Sequence, residues 1–184
     1  MANILSEDDI NLDLKDQIFV QDYSPKTKIE GVQLIPVKNI NGEDSDFCEI
    51  LRLDSKGELE AMPGFQLRQT NRTLLMHGAV KAWHIHYNQD DIWYLPPSDH
   101  LLVGLWDTRK NSPTSGAKMR IALGNGQSNL LYIPRGIAHG CANVSGKNVN
   151  LFYYVNQQFD IKNPDERRLE WDALGADFWT PEKG

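Results

Sequence analysis

GAVKAWHIHYNQDD, at residues 78–91, carries the most informative pattern in this chain. Its β-branched and aromatic residues predict a strand that ends in a polar turn. Successive side chains on a strand point to opposite faces, so His84 and His86 share one face. Two neighbouring imidazoles in a β-rich chain predict either metal ligands or a catalytic base with a polar neighbour.

The segments around this stretch have the same β character. Short apolar or alternating runs recur from residue 31 onward, and each ends at Gly, Pro, Asn or Asp. This spacing predicts an all-β sandwich or barrel. Residues 1–28 are polar and acidic, which predicts an N-terminal arm. Residues 29–184 are expected to form one domain whose C-terminal tail holds a short helix or turn.

Composition limits the class of protein. A net charge of −6 and a pI near 5.3 argue against nucleic acid or an acidic membrane as a partner. The N-terminus lacks the basic and apolar pattern of a secretory signal, and no run is long enough for a membrane helix. Cys48 and Cys141 form no CxxC motif. We therefore expect a cytoplasmic protein with free thiols.

A second motif follows in YIPRGIAHGCAN, residues 132–143, which supplies His139. This segment fits PxGxxHxxxN, and the earlier HIH is followed by Asp90 and Asp91. Both patterns resemble the signatures of the cupin jelly roll. We therefore predict an all-β cupin-type double-stranded β-helix.

Two chemistries remain open for the histidines. In one, His84, His86 and His139 bind a divalent transition metal together with Asp90 or Asp91. In the other, no metal or other cofactor is needed and His84 is a general base. An exposed turn is the competing expectation for the two aspartates.

Five segments resemble dTDP-4-dehydrorhamnose 3,5-epimerases and favour the second chemistry. QTNRT…GAVKAWH resembles that family's QDNxS…GVLRGLH, and LYIPRGIAHG resembles its LYIPPGFAHG. The other three are DTRKNSPTSG, FYYVNQQFD and LEWDALGADFWTP. Together the matches extend over residues 31–181.

The resemblance implies roles for three catalytic residues. His84 corresponds to the family's base, and Asp172 to the carboxylate that orients it. Tyr153 corresponds to the acid on the opposite face of the sugar ring, with Tyr154 as the fallback. A ketone at C4 acidifies the C–H bonds at C3 and C5, which suits a base paired with a carboxylate. The resemblance also implies a homodimer.

The resemblance further implies a set of substrate-binding residues. They are Gln69, Asn71, Arg72, Lys81, His86, Trp93 and His139. Lys81 replaces an arginine that engages the diphosphate in the family, and Lys is a point charge where Arg is a bidentate fork.

Three other positions depart from the family pattern. Trp93 stands where the family has a lysine that stabilises the enolate. Asp44 replaces a phosphate-binding arginine, and His86 replaces a glutamine. The substrate alternatives therefore include another nucleotide sugar and a sugar without a nucleotide.

Three functions follow from these motifs. The main prediction is a nucleotide-sugar epimerase that abstracts a proton next to a 4-keto group. The alternatives are a metal-dependent cupin enzyme, either an isomerase or a dioxygenase, and a sugar-binding cupin without catalysis.

Overall fold

The computed structural model describes residues 4–183 and is nearly all β. In chain order its strands are β1 (Gln33–Pro36), β2 (Asn39–Asn41), β3 (Asp46–Cys48), β4 (Gln69–Leu75), β5 (Val80–Ile85), β6 (Asp91–Tyr94), β7 (His100–Asp107), β8 (Lys118–Gly124), β9 (Asn129–Ile133), β10 (Ile137–Ala142), β11 (Val149–Val155) and β12 (Arg167–Arg168). The helices are short: 3-10 turns at Glu7–Asp9 and Ala176–Trp179, and α1 at Leu12–Lys15. No helix in this part of the chain is long and apolar enough to cross a membrane.

Two five-stranded sheets form the body of the protein. The first has the order β1-β9-β6-β11-β4, and the second has the order β12-β5-β10-β7-β8. Their strand pairs are antiparallel, and β2 and β3 form a separate hairpin. Neighbours in each sheet are mostly distant in sequence, as in a jelly roll. The predicted all-β jelly roll is confirmed.

Three apolar clusters hold these layers together. The central cluster includes Leu105, Leu131 and Ile133 and combines residues from both sheets. A second cluster, around Tyr154, forms with the 50–67 segment. In the third cluster Trp179 packs on Trp83, with 4.8 Å between ring centroids. The tail therefore packs against the body.

The arm and the body differ in burial. The two short helices at the N-terminus bury no residue, and burial begins at Ile29, which is 2% exposed. This contrast is compatible with a boundary at residue 28, which stays a prediction. Residues 1–3 and 184 lie outside the described part of the chain.

A register shift between β10 and β5 brings Lys81 and His84 into one cavity. His139 pairs with His84, but Cys141 pairs with Lys81, so β5 uses one residue more than β10. Strict alternation would place Lys81 and His84 on opposite faces. The extra residue cancels that difference, and both side chains line the cavity between the sheets.

A buried carboxylate holds the turn after β7. Asp107 accepts hydrogen bonds from Arg109 Nε at 2.9 Å, Ser112 Oγ at 2.5 Å and Thr114 Oγ1 at 2.7 Å. Arg109 also donates to the Glu30 carbonyl at 2.7 Å, which ties the start of the body to this turn. Burial by itself would raise the pKa of Asp107, but these hydrogen bonds hold that pKa well below its usual range.

We expect Asp107 to make stability depend on pH. Its pKa is lowered by folding, so its contribution is complete above the usual value of 3.8 and is lost as pH falls below it. Asp107→Asn should cost about 3 kcal/mol at neutral pH, as for a broken buried ion pair, and less in acid. Urea unfolding at a series of pH values measures this.

Asp8 provides the matched control for that measurement. Its carboxylate forms an exposed ion pair with Lys15 at 3.3 Å. Asp8→Asn should therefore change the free energy of unfolding by less than about 1 kcal/mol. Equal pH profiles for wild type and Asp107→Asn would contradict the prediction.

Candidate active site

A cavity of about 520 Å³ lies between the two sheets. Strands β4, β6 and β11 of the first sheet form one wall, and β5 and β10 of the second sheet form the other. The segment after β11 completes the rim with residues that include Gln157, Asp160 and Glu166. This volume is in the usual range for a small-molecule site.

His84 lies on the β5 wall, and a carboxylate fixes its orientation. Its Nδ1 is 3.1 Å from Glu166 Oε1, and its Nε2 is buried without a hydrogen-bond partner in the described structure. A carboxylate at Nδ1 favours the tautomer with the proton on that atom, which leaves the Nε2 lone pair free. His84 is thus an imidazole with a fixed orientation, and its role as a base stays a prediction.

The carboxylate that contacts His84 is not the one that the sequence predicted. Asp172 is exposed and does not line the cavity, so its assignment as the orienting residue is corrected to Glu166. The reason is the pairing of β12 with β5, which places Arg168 opposite His84 and Glu166 close by. Asp172 lies beyond this pairing, in a turn where its carbonyl accepts the Gly175 amide at 2.7 Å.

The environment of His84 keeps the ring neutral. Burial, together with His139 and the Arg168 guanidinium, lowers the pKa of His84 from 6.5 to about 3, against the opposing effect of Glu166. The imidazole is therefore unprotonated near pH 7. A proton taken up at Nε2 would create an imidazolium beside the Glu166 carboxylate, which would stabilise it.

Tyr153 lines the opposite wall. It lies on β11, where its register partners are Asn71 on β4 and Trp93 on β6. Its side chain lines the cavity. Tyr154 belongs to the buried cluster on the other face of the sheet. His84 and Tyr153 therefore flank one cavity from different sheets.

Most of the predicted substrate-binding residues line this cavity. Gln69 and Asn71 share a face of β4, and Gln69 Nε2 donates to Asn71 Oδ1 at 2.8 Å. Lys81 Nζ donates to Thr73 Oγ1 at 3.3 Å. Arg72 is the exception: it is exposed on the other face of β4 and donates to Asn150 Oδ1 at 2.6 Å. Its assignment to the cavity is therefore wrong, because alternation along β4 turns it away.

The remaining predicted residues form a buried group at the floor of the cavity. His86, Trp93 and His139 are 8%, 6% and 3% exposed, and all line the cavity. Trp93 Nε1 donates to Asp91 Oδ2 at 3.1 Å. His139 lies between neighbouring rings, with centroids 6.0 Å from His84 and 5.4 Å from His86.

The two acids after the HIH motif are buried, which corrects the expectation of an exposed turn pair. Asp90 is turned away from the cavity and forms an ion pair with Arg135 at 2.7 Å. Asp91 lines the cavity, and its carboxylate lies within 4.8 Å of ring nitrogens of His86 and His139. Of the ligands in the metal alternative, His86, His139 and Asp91 therefore come together, while His84 and Asp90 lie outside the group.

The sequence did not identify Glu166 or the segment 157–163 as part of the site. The signal was weak, because acidic and amide residues in a polar connection are common on any surface. Only the pairing of the two-residue strand β12 with β5 places Glu166 beside His84.

The chain matches one protein family over most of its length. A family model described as dTDP-4-dehydrorhamnose 3,5-epimerase matches residues 26–181. The spore coat polysaccharide biosynthesis protein SpsL of Bacillus subtilis strain 168 is 31% identical over 155 residues, which cover 84% of this chain and 98% of that protein. A probable low-salt glycan biosynthesis epimerase of Haloferax volcanii is 30% identical over 95 residues, 52% of this chain and 61% of that protein.

A solved structure supports the same relationship. The crystal structure of a dTDP sugar isomerase from Desulfovibrio desulfuricans G20 superposes with a TM-score of 0.69 and is 27% identical, covering 79% of this chain and 88% of that chain. On the family match and the identity to the Bacillus subtilis protein, the chain belongs to the dTDP-4-dehydrorhamnose 3,5-epimerase family.

Proposed function

We propose that this protein is a nucleotide-sugar epimerase that removes a proton from a carbon next to a 4-keto group. The observation that carries the proposal is the pair of His84 and Tyr153 on facing walls of one cavity. Epimerisation needs a base on one face of the sugar ring and an acid on the other. Membership of an epimerase family supports the same conclusion.

His84 is the base in this proposal. Its free Nε2 accepts the C3 or C5 proton, and Glu166 stabilises the charge that then develops on the ring. Tyr153 delivers a proton to the opposite face of the enolate. His84 then releases its proton to solvent, and the Tyr153 hydroxyl is restored from solvent. The reaction is an isomerisation without net gain or loss of electrons or atoms.

The cavity walls are suited to a sugar. Amide side chains at its mouth, among them Gln69, Asn71 and Gln157, offer both donors and acceptors to sugar hydroxyls. Lys81 is the cationic side chain on the wall and is placed to meet one phosphate. We therefore propose a nucleotide sugar as the substrate and Lys81 as its phosphate contact.

Proton exchange tests this function directly. The purified protein is incubated in deuterated water with dTDP-4-keto-6-deoxyglucose, and the C3 and C5 positions are followed by NMR. Incorporation of deuterium that depends on the protein supports the proposal. Ligand-induced thermal stabilisation without any exchange would instead support a sugar-binding protein without catalysis.

Glu166 and Asp172 should respond differently to loss of charge. Glu166→Gln removes a charge-assisted hydrogen bond worth about 1.5–3 kcal/mol, so we expect exchange to slow by about 10- to 100-fold. Asp172→Asn changes an exposed residue outside the cavity and should leave the rate unaltered. Initial rates of deuterium uptake compare the two, and the opposite order would contradict the assignment of Glu166.

We further propose a cytoplasmic homodimer. Its support is an exposed apolar surface beside the edge strand β1, where Ile40 and Phe47 line one groove with Ile35 and are 53% and 62% exposed. Covering such a surface with a second copy would remove apolar area from water. Light scattering measures the assembly, and Phe47→Ser should shift it toward the monomer.

A further inference from the structure

The floor of the cavity holds three side chains whose potential ligand atoms converge. One ring nitrogen each from His86 and His139 and one carboxylate oxygen of Asp91 lie within 4.8 Å of one another. At tetrahedral angles, metal–nitrogen and metal–oxygen bonds of about 2.0–2.2 Å place the ligand atoms about 3.3–3.6 Å apart. The group therefore needs to contract by up to about 1.5 Å to hold an ion.

Backbone contacts already orient both imidazoles. The Nδ1 atom of His86 contacts the Asp165 carbonyl, and that of His139 contacts the Ile137 carbonyl at 3.0 Å. A carbonyl can only accept, so each ring carries its proton on Nδ1 and has a lone pair at Nε2. On His86 this lone pair faces the Gln89 amide nitrogen at 3.4 Å, a contact that a metal ion would replace. Histidines that bind metals commonly have this arrangement, in which an oxygen acceptor holds the far nitrogen.

The environment of Asp91 also favours a cation. Asp91 is 3% exposed, and its carboxylate accepts from two neutral donors, Gln89 Nε2 at 2.8 Å and Trp93 Nε1 at 3.1 Å. Among the described residues, its one ion-pair candidate is His139, at 3.8 Å. Buried carboxylates are normally paired with a cation or coordinate a metal.

The cavity as a whole is acidic. Among the described residues, its lining carries the carboxylates of Asp91, Asp160, Asp165 and Glu166 and the ammonium of Lys81. Arg168 offsets part of this negative charge through its ion pair with Glu166 at 3.1 Å. A bound cation would offset part of this charge.

We propose that His86, Asp91 and His139 bind a divalent transition-metal ion on the cavity floor, next to His84. Two imidazoles and one carboxylate suit ions such as Fe²⁺, Co²⁺, Ni²⁺ and Zn²⁺. Such an ion supplies a Lewis acid beside the base when it is bound. The proposal concerns binding and stands independently of the epimerase activity.

Cobalt binding tests the site without reference to activity. The full-length protein is treated with a chelator, dialysed and titrated with Co²⁺, while visible absorption and equilibrium dialysis report coordination and stoichiometry. We expect one saturable ion per chain with the absorption of imidazole and carboxylate ligands. No saturable binding to the wild-type protein would overturn the proposal.

Matched substitutions locate the ion. His86→Asn and His139→Asn each keep a donor near the Nδ1 position and remove the Nε2 ligand atom, while Asp91→Asn keeps the shape of the carboxylate. Each should weaken Co²⁺ binding by at least about 100-fold. His77→Asn is the control, because exposed His77 also contacts a carbonyl, that of Ser145, through Nδ1.

The outcomes separate this proposal from the proposed function. Circular dichroism first confirms that each variant is folded, and the Asp91 and His86 variants carry the test if the buried His139 variant is not. Unchanged Co²⁺ binding in the folded ligand variants, or equal loss in His77→Asn, would overturn the site. His84→Asn should retain Co²⁺ binding and lose deuterium exchange. If the wild-type protein catalyses deuterium exchange but binds no Co²⁺, the metal site is contradicted and the proposed function is not.

Discussion

Replacing His84 with asparagine is expected to slow deuterium exchange by about 10²- to 10⁴-fold, the contribution typical of a general base. The asparagine amide takes the position of Nδ1 and can still donate to Glu166, which lies 3.1 Å from that atom. The substitution therefore removes mainly Nε2, the buried atom that has no hydrogen-bond partner in the described structure. NMR of a 4-keto nucleotide sugar in deuterated water measures the loss.

The control for this substitution must change a histidine outside the cavity. His100 lies at the start of β7 and does not line the cavity, so His100→Asn should leave exchange unaltered. Binding of the nucleotide sugar, followed by thermal shift, should survive in His84→Asn because the rest of the wall is intact. Exchange at the wild-type rate in a folded His84→Asn protein would show that another group is the base.

The strands and the two histidine motifs were predictable because they depend on local pattern. Alternation placed His84 and His86 on one face, and the Pro and Gly before His139 predicted the turn that brings it to the same cavity. The preference for Tyr153 over Tyr154 came from the family resemblance, and alternation allowed only one of the two to line the cavity. Burial of Tyr154 in the second apolar cluster agrees with that preference.

Other parts of the site depend on pairings between distant segments, which local pattern does not specify. Lys81 reaches the same cavity as His84 only because the register shifts between β10 and β5. Glu166 reaches His84 because β12 pairs with β5, whereas the resemblance at the tail had favoured Asp172. Arg72 was misassigned although alternation along β4 separates it from Gln69 and Asn71.

The burial of Asp90 and Asp91 is another feature that local sequence pattern does not specify. Two adjacent aspartates after a strand are usually solvated, and the sequence offered no partner for them. Asp90 becomes buried because Arg135 and Asn156, both distant in sequence, contact its carboxylate at 2.7 and 2.9 Å. Asp91 points the other way, to the cavity, where its charge bears on any ion or ligand bound there.

The two walls of the cavity should be separable by experiment, because removal and return of the proton are assigned to different residues. Tyr153→Phe removes only the hydroxyl and leaves the ring between Asn71 and Trp93. Tyr154→Phe is the matched control, because the Tyr154 ring packs in the second apolar cluster and burial raises the pKa of its hydroxyl to about 12. The control should retain both exchange and inversion.

In Tyr153→Phe, we expect formation of the inverted sugar to fall by about 10²- to 10⁴-fold, as for loss of a general acid. Exchange should be reduced much less, because His84 can still remove the proton and return a deuteron to the face from which it came. NMR of one reaction reports both quantities, deuterium content and ring configuration. Equal loss of exchange and inversion would mean that Tyr153 also acts before proton removal, and an unchanged yield of inverted sugar would remove it from the mechanism.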